Sequence, residues 1–193
     1  MNSIPAQRER AATVEFGYTP WGMDVVRLAE PVTVTVANKL LPRARSIARN
    51  GGVLLTIEGR LVRSTVHRGS EASVSHLEFA RMTSELADAL RQPLCADRVS
   101  DDQLHAVLVR AGFCPAPTIA NVDCSCAART PMCVHVLATI YALAQQIDNA
   151  PQLALDIQSV DLASSDTPGD VVVATWVPLR EIAVDTFYDL PPV

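Results

Sequence analysis

DCSCAARTPMCVH, residues 123–135, is the stretch that decides the fold of this chain. It reads C-x-C, six intervening residues, then C-x-H. Thiolates and an imidazole are ligands that zinc favours in a closed tetrahedral shell. In an extended backbone the two cysteines of a C-x-C pair point to the same side, because side chains alternate with period two. The spacing therefore predicts one Zn2+ site, with the ligands Cys124, Cys126, Cys133 and His135.

The predicted zinc site has a structural character. Cys133 and His135 stand where a helix is predicted to begin, and the positive end of a helix favours thiolates. Four protein ligands leave no position for water, and the loop holds no Glu to serve as a base. The alternatives are a redox dithiol, for which C-x-x-C is the usual spacing, and a coincidence of small buried cysteines with a core histidine. No nucleophile, base and open metal position occur together, so the sequence predicts a protein that is not an enzyme.

The flanking sequence predicts an α+β fold, a small antiparallel sheet with helices and a zinc-stapled ββα module. Alternating apolar and polar residues are typical of half-buried strands, and Pro, Gly and a capping-box pattern mark the helix ends. Pro42 suits the first turn of a helix, and Gly51 and Gly52 suit its stop. Strands are predicted at 31–37, 53–58, 61–67, 73–80, 118–123 and 171–177, and helices at 83–91, 100–110, 134–147 and 151–158.

Four segments follow from these patterns. They are an N-terminal arm (1–30), a basic helix with a small antiparallel sheet (31–95), a helical segment with the zinc module (96–158), and a linker with an acidic tail (159–193). No apolar run is long enough to span a bilayer, and no charged region leads into an apolar one at the N-terminus. We therefore expect a cytoplasmic protein with reduced thiols and no membrane partner.

Charge is distributed unevenly along the chain. Residues 39–68 hold seven basic side chains and one acidic one, a net charge of +6, whereas residues 149–193 hold seven acidic and one basic, a net charge of −6. One interpretation is two solvated surfaces. The other is a nucleic-acid contact on the basic part and a partner-binding or self-masking tail. The candidate nucleic-acid-binding residues are Arg43, Arg45, Arg49, Arg60 and Arg63.

The C-x-C…C-x-H pattern resembles the SWIM zinc finger, and all four ligand positions match. SWIM modules have a strand entering the C-x-C pair and a helix leaving the C-x-H pair, which residues 118–123 and 134–147 would supply. The basic stretch from Arg43 to Gly52 is similar to the helix that precedes a small sheet in bacterial SWIM-finger proteins, which extends the resemblance to about residues 38–147. The helix after His135 departs from a DNA-reading helix, because it lacks a basic face.

The SWIM resemblance implies binding of DNA, or of a DNA-processing protein such as a Swi2/Snf2-type helicase. The sequence thus predicts a non-enzymatic zinc-binding adaptor with no small-molecule substrate. The alternative is a pure protein-interaction regulator of a polymerase, helicase or repair factor. It would act through the acidic aromatic tail (181–193) or through the apolar helix that follows the zinc ligands.

Overall fold

The computed structural model describes residues 16–34, 38–68, 71–91, 101–128 and 130–159. These residues form an α+β fold, in which a four-stranded antiparallel sheet packs with helices. The elements are α1 (Pro20–Ala29), α2 (Leu41–Arg49), β1 (Val53–Glu58), β2 (Leu61–Arg68), β3 (Glu71–Phe79), α3 (Ser84–Arg91), α4 (Asp101–Arg110), β4 (Ile119–Cys124), α5 (Val134–Asn149) and α6 (Leu153–Asp156).

The strands lie in the order β1-β2-β3-β4, and each neighbouring pair is antiparallel. The β1–β2 turn contains Gly59, whose φ of 55° suits a residue without a Cβ. Because side chains alternate, Val62 and Leu77 face inward as cross-strand partners, and Arg63 and His76 face the opposite side. β4 reaches Cys124 opposite Ser75, so the sheet carries the first predicted ligand at its end.

Helix α5 is the centre of the core. It packs on the inner face of the sheet and also contacts α1 and α2. Eleven of its sixteen residues are buried, as its nearly continuous apolar sequence predicts. Within α5, Tyr141 and Ile140 are completely buried, and Phe79 of β3 is buried in the same cluster. The helix after the predicted zinc site is therefore core structure.

Helix α1 corrects the prediction of an arm over residues 1–30. Residues 1–15 lie outside the described part of the chain, but α1 packs on α5 with Trp21 and Val25 buried. The buried carboxylate of Asp148 accepts hydrogen bonds from the Gly17 N–H at 2.7 Å and from the Thr19 N–H and hydroxyl at 2.9 and 2.8 Å. These bonds join the start of α1 to the end of α5. The N–H of the N-cap Thr19 is one of the backbone donors that a helix start leaves open.

Helix α2 lies on another side of α5 and has one buried apolar face and one exposed face. Ala44 and Ala48 are buried, Leu41 and Ile47 are partly buried, and Pro42 lies in the first turn. Gly51 follows with a φ of 69°, a left-handed conformation that ends the helix at little steric cost. The helix boundaries thus agree with the Pro and Gly signals of the sequence.

One predicted strand is wrong over the residues that the structure describes. Residues 31–34 form a turn, closed by a hydrogen bond of 3.1 Å from the Val34 N–H to the Pro31 carbonyl, and residues 35–37 lie outside the description. Alternation predicts a strand only where a neighbouring strand supplies ladder partners, and among the described strands β1 pairs with β2 alone. The predictions for 171–177 and for the tail also lie outside the described residues. Among the described residues, no helix is long and apolar enough to cross a membrane.

Candidate metal centre

Two elements bring the four predicted ligands together. Cys124 is the last residue of β4, Cys126 lies in the bend that follows, Cys133 is the N-cap of α5, and His135 lies in its first turn. The bend is attached to β3 by two hydrogen bonds. The Ser125 N–H donates to the Val74 carbonyl at 2.9 Å, and the Val74 N–H donates to the Ser125 hydroxyl at 3.0 Å. The C-x-C pair is therefore held by the sheet.

The four donor atoms form a cage of the size that a metal ion needs. All of them lie within 4.8 Å of one another, and the Cys124 Sγ is 3.9 Å from the His135 Nδ1. In a tetrahedral zinc site, metal–ligand distances of about 2.3 Å for sulfur and 2.0 Å for nitrogen place the donors roughly 3.6–3.8 Å apart. Each donor would thus move by about 1 Å or less to reach that geometry. Three thiols and one imidazole are compatible with a metal site.

The thiols of the C-x-C pair differ in acidity. Burial raises the pKa of Cys124 to about 12, and hydrogen bonding with Cys126 and Cys133 adds to this effect. Burial also opposes ionisation of Cys126, but hydrogen bonds from the Ala128 N–H and from the neighbouring thiols outweigh it and lower the Cys126 pKa. A thiolate is the metal-binding form of cysteine. Within the C-x-C pair, the Cys126 thiol is therefore more acidic than the Cys124 thiol.

A buried cluster of hydroxyl groups contacts the first turn of α5, and it was not predicted from the sequence. Ser64, Ser75 and Thr139 come from β2, β3 and α5, and their hydroxyl oxygens lie 2.6–3.1 Å apart. The Thr139 hydroxyl donates to the His135 carbonyl at 2.9 Å. The cluster joins the sheet to the turn that carries the histidine. Its only sequence signal is three small polar residues at positions that alternation assigns to the core face.

The five arginines predicted to contact nucleic acid do not form one surface. On α2, Arg43 and Arg49 are exposed, but the guanidinium of Arg45 contacts the carboxylate of Glu30 and donates to the Tyr141 hydroxyl at 3.1 Å. Because of the Glu30 contact, the pKa of Arg45 is raised above its ordinary value. The position of Glu30 after α1 gave no sequence signal of this pairing. The exposed charge of α2 thus comes from Arg43 and Arg49, and Lys39 is exposed just before the helix.

Arg60 lies in the turn between β1 and β2, and Arg63 lies on β2. Arg60 donates to the Phe79 carbonyl at 2.8 Å and lies 3.6 Å from the Glu78 carboxylate. Arg63 projects from the outer face of the sheet, while α2 packs against α5 on the inner side. Arg63 and its cross-strand partner His76 share that outer face with Asp123 of β4. The outer face therefore has mixed charge.

The other cysteines and histidines that the structure describes lie outside the cage. Cys114 is exposed and directly precedes Pro115. Cys95 lies outside the described residues. His105 has partners within the core, because its Nε2 is 2.8 Å from the Asp24 carboxylate and its ring meets Trp21 edge-on.

Comparison of the chain with protein-family models, with curated protein sequences and with solved structures gave no match.

Proposed function

We propose that the chain is a non-enzymatic adaptor of the SWIM zinc-finger type, built around one structural Zn2+ and binding DNA through helix α2. The observation that carries the metal part is the convergence of four donor atoms within 4.8 Å at the junction of β4 and α5. The donor set of three sulfurs and one nitrogen matches the softness of Zn2+, and it leaves no ligand position for a reacting water. Zinc would therefore hold the end of the sheet to the core helix.

Four features support assignment to the SWIM type. The ligand order C-x-C…C-x-H is present, β4 enters the first pair, and α5 leaves the second. A basic helix and a small antiparallel sheet precede them, in the order expected of bacterial SWIM-finger proteins. Because α5 is buried, DNA would not be read by this helix, and a contact to phosphates elsewhere is the better hypothesis.

The metal content tests the first part directly. Elemental analysis of purified protein should give one Zn per chain, and Co2+ substitution should give the visible absorption of a tetrahedral thiolate site. The Cys126→Ser variant should lose that absorption, and Cys114→Ser should keep it because Cys114 is exposed outside the cage. Metal-free protein with an unchanged melting temperature would exclude a structural metal.

DNA binding would use the exposed cations Arg43 and Arg49 of α2 and Lys39, which lies just before the helix. Three phosphate contacts give a slope of about −2.7 in log K against log salt, so affinity should fall roughly 40-fold between 50 and 200 mM salt. The double variant Arg43→Gln/Arg49→Gln should reduce the slope to about −0.9, because one contact remains.

The matched control for the DNA experiment is Arg91→Gln/Arg110→Gln, which removes the same charge from exposed positions of α3 and α4. Fluorescence anisotropy with a labelled duplex at several salt concentrations gives both slopes. If the two double variants change the slope equally, the attraction is a net-charge effect and α2 is not the contact.

A second candidate is a protein-interaction regulator, and the outer face of the sheet favours it. Leu54 and Leu61 are exposed there, and Val74 is half-buried on the same face. α5 is unsuitable as the docking element for this role because it is already buried in the core. Affinity purification with the full chain and with residues 180–193 deleted distinguishes the acidic tail from the outer face of the sheet as the binding surface. Partners lost on deletion would assign the acidic tail, and retained partners lost in Leu54→Asp would assign the sheet.

A further inference from the structure

A cavity of about 390 Å3 lies where α1, α2 and α5 meet, away from the metal cage. Its lining combines an apolar part, made by Phe16, Met23 and Val26, with a polar part. The Phe16 ring stands 5.1 Å from the ring of Tyr141 at an angle of 44°. Ligand pockets in proteins usually join apolar walls with a few placed polar groups at volumes of about 300–1,000 Å3. The cavity falls within that range.

The polar part of the lining contains two guanidinium groups one helical turn apart. Arg45 is held in place, because its Nε donates to the Tyr141 hydroxyl, its Nη2 contacts the Glu30 carboxylate, and its Cζ lies 5.5 Å from the centre of the Tyr141 ring. Tyr141 in turn donates to Glu30. An arginine fixed in this way loses little side-chain entropy when its remaining N–H groups bind an anion.

Arg49 completes the polar end of the cavity. It is exposed, and within the described part of the chain its guanidinium makes no hydrogen bond or ion pair. Two guanidiniums and the Glu30 carboxylate leave one net positive charge in the lining. One positive charge complements a monoanion better than a phosphate, which carries nearly two negative charges at neutral pH.

We infer that this cavity binds an apolar monocarboxylate, with the carboxylate between Arg45 and Arg49 and the apolar group against Phe16, Met23 and Val26. The planar guanidinium matches the two oxygens of a carboxylate. The acid could be a free small molecule or the C-terminal residue of a peptide, since both present the same chemistry. The site is separate from the metal cage. It shares Arg49 with the predicted phosphate contacts, whereas Lys39 and Arg43 lie outside the cavity lining.

Phenylacetate and the peptide acid N-acetylglycylphenylalanine are suitable probes, with phenylacetamide as the uncharged control. NMR titration of the full chain should shift the Arg45 Nε–H and Met23 methyl resonances to saturation, with a dissociation constant of about 1–10 mM for a ligand of this size. The tighter of the two acids identifies the source. Phenylacetamide should bind at least roughly tenfold more weakly, because the charge-assisted hydrogen bonds are lost.

Two variants test the assignment, with one matched control. Arg49→Gln should weaken phenylacetate binding by roughly tenfold, and Met23→Trp should abolish it by filling the cavity without changing its charge. Arg43→Gln removes the same charge from an exposed position of α2 outside the cavity and should leave binding unchanged. Saturable binding lost in the first two and kept in the third would establish the site.

Three results would overturn the inference: no saturable shift with either acid, equal weakening by Arg43→Gln and Arg49→Gln, or tenfold tighter binding of phenyl phosphate than of phenylacetate. Zinc content and DNA affinity are measured on the same samples. Loss of the acid site with both intact would leave the proposed function standing. Absence of DNA binding would not count against the acid site. Arg43→Gln distinguishes the two, because Arg43 is a predicted DNA contact and does not line the cavity.

Discussion

Replacement of Cys133 by serine should destabilise the metal-loaded protein and leave the stability of the metal-free protein nearly unchanged. Cys133 is the N-cap of α5, with φ −72° and ψ 171°, and its side chain makes no capping hydrogen bond. Serine is a strong N-cap residue, because its hydroxyl accepts from a free N–H of the first turn. In metal-free protein, that gain of about 1 kcal/mol offsets the similar cost of burying a hydroxyl where the thiol is 2 % exposed.

In metal-loaded protein the same substitution removes one of four ligands. A structural metal present at 1,000 times its dissociation constant stabilises the folded state by about 4.1 kcal/mol. For a chain of this size that corresponds to about 8–16 °C in melting temperature. Cys133→Ser should therefore lower the melting temperature by about that amount with Zn2+, and shift it by less than about 4 °C in chelator.

Differential scanning calorimetry of both proteins, with Zn2+ and with chelator, measures the four melting temperatures. Cys114→Ser serves as the control, since that thiol is exposed and outside the cage, and it should change none of them. A loss that is equal with and without metal would show that Cys133 acts only through packing. It would refute its role as a ligand.

Three further substitutions have defined outcomes. Gly22→Ala should lower the free energy of unfolding by about 3 kcal/mol in urea denaturation, because the new Cβ would lie 2.0 Å from the Asp148 Oδ1; an unchanged midpoint would contradict this close approach. Thr139→Val keeps the side-chain shape but removes the hydroxyl that donates to the His135 carbonyl, and should cost about 1–3 kcal/mol in zinc-loaded and in chelated protein alike. Burial and the hydrogen bond to a carboxylate raise the pKa of Tyr141 above its ordinary value of 10.0. The contribution of the neutral Tyr141 side chain to stability is therefore complete below pH 10 and is lost as pH rises further. Urea denaturation at pH 9 and pH 11 should then show a smaller loss in Tyr141→Phe than in the parent; equal losses would count against the raised pKa.

Local signals predicted most of the elements correctly. Pro42 and Gly51 bracket α2, the Glu58–Leu61 connection joins two strands, and Gly112 follows α4 with a φ of 87°. These residues act through their own backbone preferences, which need no distant partner. The prediction of a strand at 31–37 is wrong over residues 31–34. A strand needs a neighbouring strand to complete its hydrogen-bond ladder, and alternation in the sequence does not supply one.

The segment predicted as an N-terminal arm shows what local signals omit. Nothing near Trp21 in the sequence indicates that Asp148, far along the chain, accepts three hydrogen bonds from the start of α1. Similarly, the sequence predicted Arg45 as a nucleic-acid-binding residue and gave no sign that Glu30 and Tyr141 contact its guanidinium. Hydrogen bonds between distant residues depend on the packing of whole helices, so only the fold reveals them.

The sequence alone identified the four residues of a cluster that is compatible with a metal site, because ligand type and period-two spacing are local properties of residues 124–135. It also determined that α5 is buried, because an apolar surface around the whole helix has to be covered. Only the tertiary structure decided that β4 ends beside the first turn of α5, so that four donors meet within 4.8 Å. Only the tertiary structure decided which arginines are exposed on α2, which line the cavity and which lie on the outer face of the sheet. The physical reason is that burial and charge pairing depend on contacts between distant segments, whereas ligand chemistry and helix ends depend on neighbours in the chain.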